Sequence, residues 1–179
     1  MVQFTRLFFS LCLIVASFAV TTKRTVAQIE ADLASISTQV TALDNDVKGF
    51  PASGLAGALN INTAATNLES GLNTGTSDVK ANGPLDEADG TTILNDVLAI
   101  EPVIIDALTR IAAEEPEFAA LPVAGIPALV LEDLETLKAD IDEFVEAIMS
   151  TGPADLAGQA TSIRNAIDAA FATAIAAFS

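Results

Sequence analysis

The stretch VAQIEADLASISTQVTALDNDVKGF carries its large apolar residues at Val26, Ile29, Leu33, Ile36, Val40, Leu43, Val47 and Phe50. The steps alternate between three and four residues without a break, so all of them fall on one stripe of an α-helix. A helix of this kind cannot leave its stripe in water; it needs neighbouring helices or a partner chain. The flanks decide between the two. They carry Glu30, Asp32, Ser37, Gln39, Asp44 and Asp46, which are acidic or neutral. A parallel coiled-coil dimer would bring these like charges together, where opposite charges normally pair. The stripe therefore predicts packing inside a bundle built from one chain.

The remaining sequence supplies the neighbours. Prolines and glycines punctuate it at Gly49-Phe50-Pro51, Gly83-Pro84, Glu115-Pro116, the Leu121–Pro127 loop and Gly152-Pro153, because proline cannot continue a helix without losing a hydrogen bond. About five amphipathic helices lie between them. The second, from roughly Ala52 to Ala81, has helical spacing through Leu55, Leu59, Ile61, Leu68, Leu72 and Val79. Gly71 and Gly75 each weaken it by about 1 kcal/mol relative to Ala, so a break is expected near Asn73–Ser77. The third starts near Asp86 and Asp89, whose carboxylates suit a helix N-terminus. It runs through Ile93, Val97, Ile100, Ile104, Leu108 and Ile111, with Pro102 predicting a kink rather than a stop. The fourth begins at Pro127 and repeats a seam at Val130, Leu134, Leu137, Ile141, Phe144 and Ile148. The fifth runs from Ala154 to Phe178. Strand-type alternation is absent, and the expected class is all-α, a single helical bundle.

The first residues read differently. Leu7 to Val20 is uncharged, follows Arg6 and ends in Ser17-Phe18-Ala19. It is too short to span a bilayer and has the pattern of a secretory signal peptide cut after Ala19, or else after Ala16. Residues 20–24 would form a short propeptide ending at the dibasic Lys23-Arg24, or else two solvated charges. The expected domain is 25–179, secreted and extracellular. The only cysteine, Cys12, would leave with the leader, so the mature chain reaches an oxidising compartment without a disulfide and depends on packing. Its phenylalanines would be Phe50, Phe118, Phe144, Phe171 and Phe178, with no Trp or Tyr. An aliphatic core of this kind suits acyl chains better than ring-shaped ligands, although simple core filling explains it equally.

Composition removes most chemistry. Histidine is absent and no cysteine remains, which excludes His/Cys zinc sites and the Ser-His-Asp and Cys-His nucleophile systems. Phosphate-loop and dinucleotide glycine motifs are absent as well. The formal charge of −16, more negative still without Arg6, opposes binding to nucleic acid or anionic membranes. The cluster Asp86-Glu87-Ala88-Asp89-Gly90 fails as a calcium loop, because Leu85 would occupy its first ligand position. No catalytic residue, metal or cofactor is expected. The apolar run AFATAIAAFS continues the spacing of Ile163 and Ile167, and reads as a final bundle helix rather than an anchor signal.

With its helices placed, the chain resembles the fungal hydrophobic surface-binding protein A family, which includes cell-wall galactomannoproteins. The seam from Val26 to Phe50, Leu59-x-Ile61 with Leu68, and LDEADGTTILNDVLAIEPVIIDALTRI followed by Phe118 carry the resemblance. Within that last segment Ile93, Val97, Pro102, Leu108 and Ile111 match the family's aliphatic–proline–aliphatic helix. Glu114-Glu115 stand where relatives often have basic residues. The resemblance implies a non-enzymatic binder of one of two kinds. One sequesters a long-chain fatty acid or other lipid in the bundle core. The other adsorbs to hydrophobic surfaces, where a secreted hydrolase could be recruited. A structural or antigenic wall protein without ligand is a third reading. For the internal site the expected lining is Val40, Leu43, Leu72, Leu98, Leu134, Phe144, Ile148 and Phe171, each of which could equally be ordinary core. Ser37, Gln39, Arg110 and Arg164 are the candidates for contact with the acid head group.

Overall fold

The computed structural model describes residues 25–179; the leader at 1–19, its cut sites and the 20–24 segment lie outside the described residues. The chain forms α1 (Val26–Gly49), α2 (Gly54–Asn82), α3 (Glu87–Ala113), the short α4 (Glu115–Ala119), α5 (Ile126–Thr151) and α6 (Ala157–Phe178). A single 3-10 turn, Ala154–Leu156, leads into α6. Among the described residues there is no strand, and no helix is long and apolar enough to cross a membrane.

The five long helices close into a ring: α1 packs on α2 and α3, α2 on α5, α5 on α6, and α6 on α3. Short connections make consecutive long helices antiparallel. At the turns between helices the backbone enters positive φ only at glycine, as at Gly83 (78°) and Gly125 (92°), where a side chain would be strained. The apolar seam of α1 is buried: Ile29, Leu33, Ile36, Val40, Leu43, Val47 and Phe50 all face the ring's interior, and Val26 is half-buried at its start. One end of the ring is sealed by aromatic rings. Phe118 of α4 stacks on Phe50 with centroids 4.1 Å apart and meets Phe178 edge-on at 5.8 Å. At the other end the α2–α3 turn is tied to α5, with Leu85 N–H donating to the Thr151 carbonyl at 2.8 Å.

The expected start of the third helix appears as a cap. Asp86 precedes α3 with extended backbone, and its carboxylate accepts from the Asp89 N–H at 2.9 Å, which satisfies one of the donors a helix start leaves open. Helix α3 then continues through Pro102.

The expected break near Asn73–Ser77 does not occur; α2 runs unbroken from Gly54 to Asn82. The two glycines serve helix packing instead. A Cβ at position 75 would stand 3.0 Å from the Phe144 ring and 3.4 Å from Ile36 Cδ1; one at position 71 would stand 2.3 Å from Gln39 Oε1. Each glycine thus lets a side chain of α1 or α5 lie against the α2 backbone, and that packing outweighs their poor helix propensity.

Candidate functional site

The core is not completely filled. Two voids lie end to end along the ring's axis, each about 30 Å³. Val40, Leu68, Ile104 and Ile141 line both of them, one residue from each of α1, α2, α3 and α5. Toward the first-helix start the lining continues through Leu33, Leu72 and Phe144; toward the aromatic seal it continues through Leu43, Leu134 and Phe171. All these side chains are aliphatic or phenylalanine. A third void, about 20 Å³, sits at the opposite end between Leu85, Leu94, Ile148 and Leu156.

Of the residues expected to line a ligand site, Val40, Leu43, Leu72, Leu134, Phe144 and Phe171 border the axial voids. Ile148 borders the small end void instead. Leu98 is misplaced by the expectation: it stands on the outside of α3, 41% exposed. Val97 takes the inward position, because an α-helix rotates each successive side chain by about 100°. The spacing reading had Leu68, Ile104 and Ile141 in its seams, or in the helices facing them, without recognising that they border both voids. Their apolar spacing marks all three as core, but that they stand level with Val40 depends on how the helices pack and left no sequence signal.

The head-group candidates do not converge. Ser37 is half-buried in the groove between α1 and α3, beside Asp96. Gln39 is half-buried on the other flank of α1, at an open groove of about 250 Å³ shared with Asn60, Thr63 and Asn67 of α2. Arg110 is exposed and holds Asp106 at 3.2 Å. Arg164 lies across the α5–α6 seam, 3.1 Å from Asp142 and 3.2 Å from Glu146.

Both arginines are therefore committed, and so is every other described basic side chain. Lys48 bridges Asp44 of its own helix and Asp106 of α3 at 2.5 and 3.3 Å. Lys80 reaches Glu143 at 2.6 Å, and Lys138 reaches Asp142 and Asp168 at 2.7 and 2.9 Å. Donating hydrogen bonds to these carboxylates raises the Lys48 and Lys138 ammonium groups above the usual lysine value. Arg110, and then Lys48, hold Asp106 below the usual carboxylate range. An incoming carboxylate would have to displace one of these pairs to gain a cation.

Gln39 differs from the other candidates in one respect. Its Oε1 is buried and accepts no hydrogen bond, and a buried acceptor left open is destabilising until a donor reaches it. It lies over Gly71, with Val40 and Leu72 of the void lining as chain neighbours.

Comparison with known proteins extends this picture. A comparison with curated protein sequences finds no match. The family model described as Hydrophobic surface binding protein A matches residues 26–150. Among solved structures, AfMP4p in complex with palmitic acid is 34% identical, superposes with a TM-score of 0.80, and is covered over 100% of its length by 87% of this chain. Ligand binding domain 1 of the Penicillium marneffei MP1 protein, complexed with arachidonic acids, is 17% identical with a TM-score of 0.78, over 87% of this chain and 99% of that one. Ligand binding domain 2 of the same protein, complexed with multiple arachidonic acids, is 16% identical with a TM-score of 0.77, over 88% and 98%. The two domains share the bundle fold. The chain belongs to the hydrophobic surface binding protein A family.

Proposed function

We propose that the protein is a secreted, non-enzymatic carrier that holds one long-chain fatty acid along the axis of residues 25–179. The carrying observation is the pair of contiguous axial voids with purely hydrocarbon walls. A relative of the same fold, 34% identical, is known in complex with palmitic acid, which favours an acyl chain over other apolar guests. The voids as they stand are far smaller than the several hundred Å³ of an ordinary ligand pocket, roughly 300 Å³ or more. An acyl chain therefore fits only if binding spreads the helices around the two voids. Each methylene transferred into the core contributes about 0.8 kcal/mol, which offsets the packing lost on opening and the freedom lost on association.

The acid head group meets neutral donors rather than a salt bridge, because the described cations are all engaged. Gln39 is the residue we assign to it. Its amide offers donors to a carboxylate, and its open acceptor suits the hydroxyl of a protonated acid. Replacing Gln39 with Ala should weaken binding by about three- to tenfold, the worth of one neutral hydrogen bond.

Native mass spectrometry of the secreted protein, followed by organic extraction, tests the reading. The expected result is a fatty acid that leaves on extraction. Adding palmitate at about a hundred times its dissociation constant should raise the melting temperature by roughly 5–10 °C. An apo mass together with an unmoved melting temperature would overturn it.

Adsorption to apolar surfaces is the second reading, favoured by the family to which the chain belongs. It does not exclude the first.

A further inference from the structure

The outer surface of the ring is not chemically uniform. Ion pairs cross-link α1 with α3 (Lys48–Asp106), α2 with α5 (Lys80–Glu143) and α5 with α6 (Lys138–Asp168, Arg164–Asp142). Among the described residues none spans α3 and α6, although these two helices pack on each other. Gly90 and Leu94 fix which side of α3 faces α6, since both border Pro153, Leu156 and Ala160. Steps of four, three and four from Leu94 reach Leu98, Glu101 and Ile105 along the same seam. Leu98 is the most exposed large apolar side chain of α3, Pro102 beside it is exposed, and Ile105 is half-buried.

Across the seam, Arg164 and Asp168 mark the α5 side of α6. The opposite side therefore presents Ala166, Ala170 and Thr173. No charged side chain follows Asp168. The exposed hydroxyls of this face are turned inward on their own helices: Thr109 donates to the Ile105 carbonyl at 2.7 Å and Thr173 to the Ala169 carbonyl at 3.0 Å. Glu101 is the one charge in the α3 stretch from Leu98 to Ile105, on a chain of formal charge −16.

The helix that forms one side of this seam, α3, is also the least buried wall of the axial voids. Of all the residues bordering the two axial voids, only Val97 and Ile104 are not fully buried, and both belong to α3. They flank Pro102, which supplies no N–H, so the Leu98 carbonyl lacks the donor that position would give it in a regular helix.

We infer that the α3–α6 face is the surface with which the protein lies against an uncharged apolar phase, and that the seam within it is the route by which an acyl chain passes from that phase to the core. The partner is identified by charge. Glu132, Glu135, Glu143 and Glu146 crowd the exposed side of α5, whereas this face is nearly free of carboxylates, so the matching surface is neutral and apolar rather than basic. The second half of the inference rests on the fatty-acid reading; the first does not.

The test uses two charge insertions on the face, Leu98→Glu and Thr173→Glu, with Ala139→Glu on the exposed side of α5 as the equal-charge control. Three quantities are read for the secreted protein: retention on octadecyl-coated beads, the rate at which a fluorescent long-chain fatty acid moves to it from neutral phosphatidylcholine vesicles, and affinity for that fatty acid in vesicle-free buffer. Both face variants should lose bead retention by about tenfold or more, the worth of one leucine contact. The wild-type transfer rate should rise with vesicle concentration, as collision requires, and the face variants should slow it. Affinity in buffer should stay within about twofold throughout, and Ala139→Glu should move none of the three. Unchanged retention in both face variants would overturn the assignment. So would an equal loss in Ala139→Glu, or sedimentation showing a dimer that Leu98→Glu dissociates, because a second copy would then cover the face. Retention lost with transfer unaffected would leave the docking face and remove the route. If no form binds fatty acid in buffer, the carrier reading has failed, and bead retention alone decides the face.

Discussion

Two glycines on one helix, four residues apart, make opposite predictions. At Gly75 an added methyl would press on the Phe144 ring and on Ile36, both buried. Overpacking of this sort costs about 1–3 kcal/mol, and Gly75→Ala should lower the urea midpoint accordingly. At Gly71 the obstructing group is the far end of the flexible Gln39 side chain. It can swing into the adjoining groove, so Gly71→Ala should keep most of the roughly 1 kcal/mol that alanine gains over glycine in a helix. The same variant takes Gln39 off its seat. It should therefore melt higher than wild type while binding palmitate more weakly, a separation that thermal melts and calorimetry would read together. Neither role was legible in the sequence. A helical pattern containing two glycines reads as a weak helix, and only the neighbours on α1 and α5 show that the missing side chains are the point. Leu98 failed for a related reason. Adjacent apolar residues such as Val97-Leu98 leave the phase of a helix open by one position, and that one position decides between interior and surface.

At the scale of helix against helix, the seams divide by charge. Lysine and arginine bridges fasten α1 to α3 and α5 to α6. The α2–α5 seam has one such bridge, Lys80–Glu143, and otherwise carries Glu69, Asp133 and Asp140, with Asn62 donating to Asp133 at 2.9 Å and Asn73 to Asp140 at 3.1 Å. Burial, and then repulsion from neighbouring acids, push all three carboxyls above their usual values. A carboxyl whose folded value lies above its unfolded value binds its proton more tightly in the fold. The seam is thus weakened at neutral pH and strengthens as pH falls through the raised folded values toward the ordinary values of 4.5 and 3.8. Asp106 acts in the opposite sense, since its lowered value means that its contribution is lost as pH falls through the folded value. Asp140→Asn should consequently raise the melting temperature at pH 7 and change it much less at pH 3.5. Equal gains at both pH values would show that ionisation is not the cause. At this scale the sequence served well. Heptad spacing located the five long helices, and the Asp86 carboxylate marked the start of α3. The short α4 was missed, since one turn of helix between Pro116 and Phe118 leaves no periodicity to read. The pairing of α2 with α5 was not legible either, because ring order depends on contacts that no local pattern encodes.

For the molecule as a whole, the axial voids set stability against capacity. Val40 borders both of them, and Val40→Ile adds one methylene where there is room. The closed bundle should gain up to about 0.8 kcal/mol, and the fatty acid should bind less tightly, because opening now breaks more contacts. A denaturant midpoint that rises while calorimetric affinity falls is the expected pair; a fall in both would mean that the voids are already full in solution. The ion-paired lysines have a practical side too. Dyes or resins that couple through primary amines would neutralise Lys48, Lys80 and Lys138 and cut the links they make between helices. A protein labelled or immobilised that way would be a loosened one, and coupling through carboxylates cuts the same links wherever it reaches Asp106, Glu143 or Asp168.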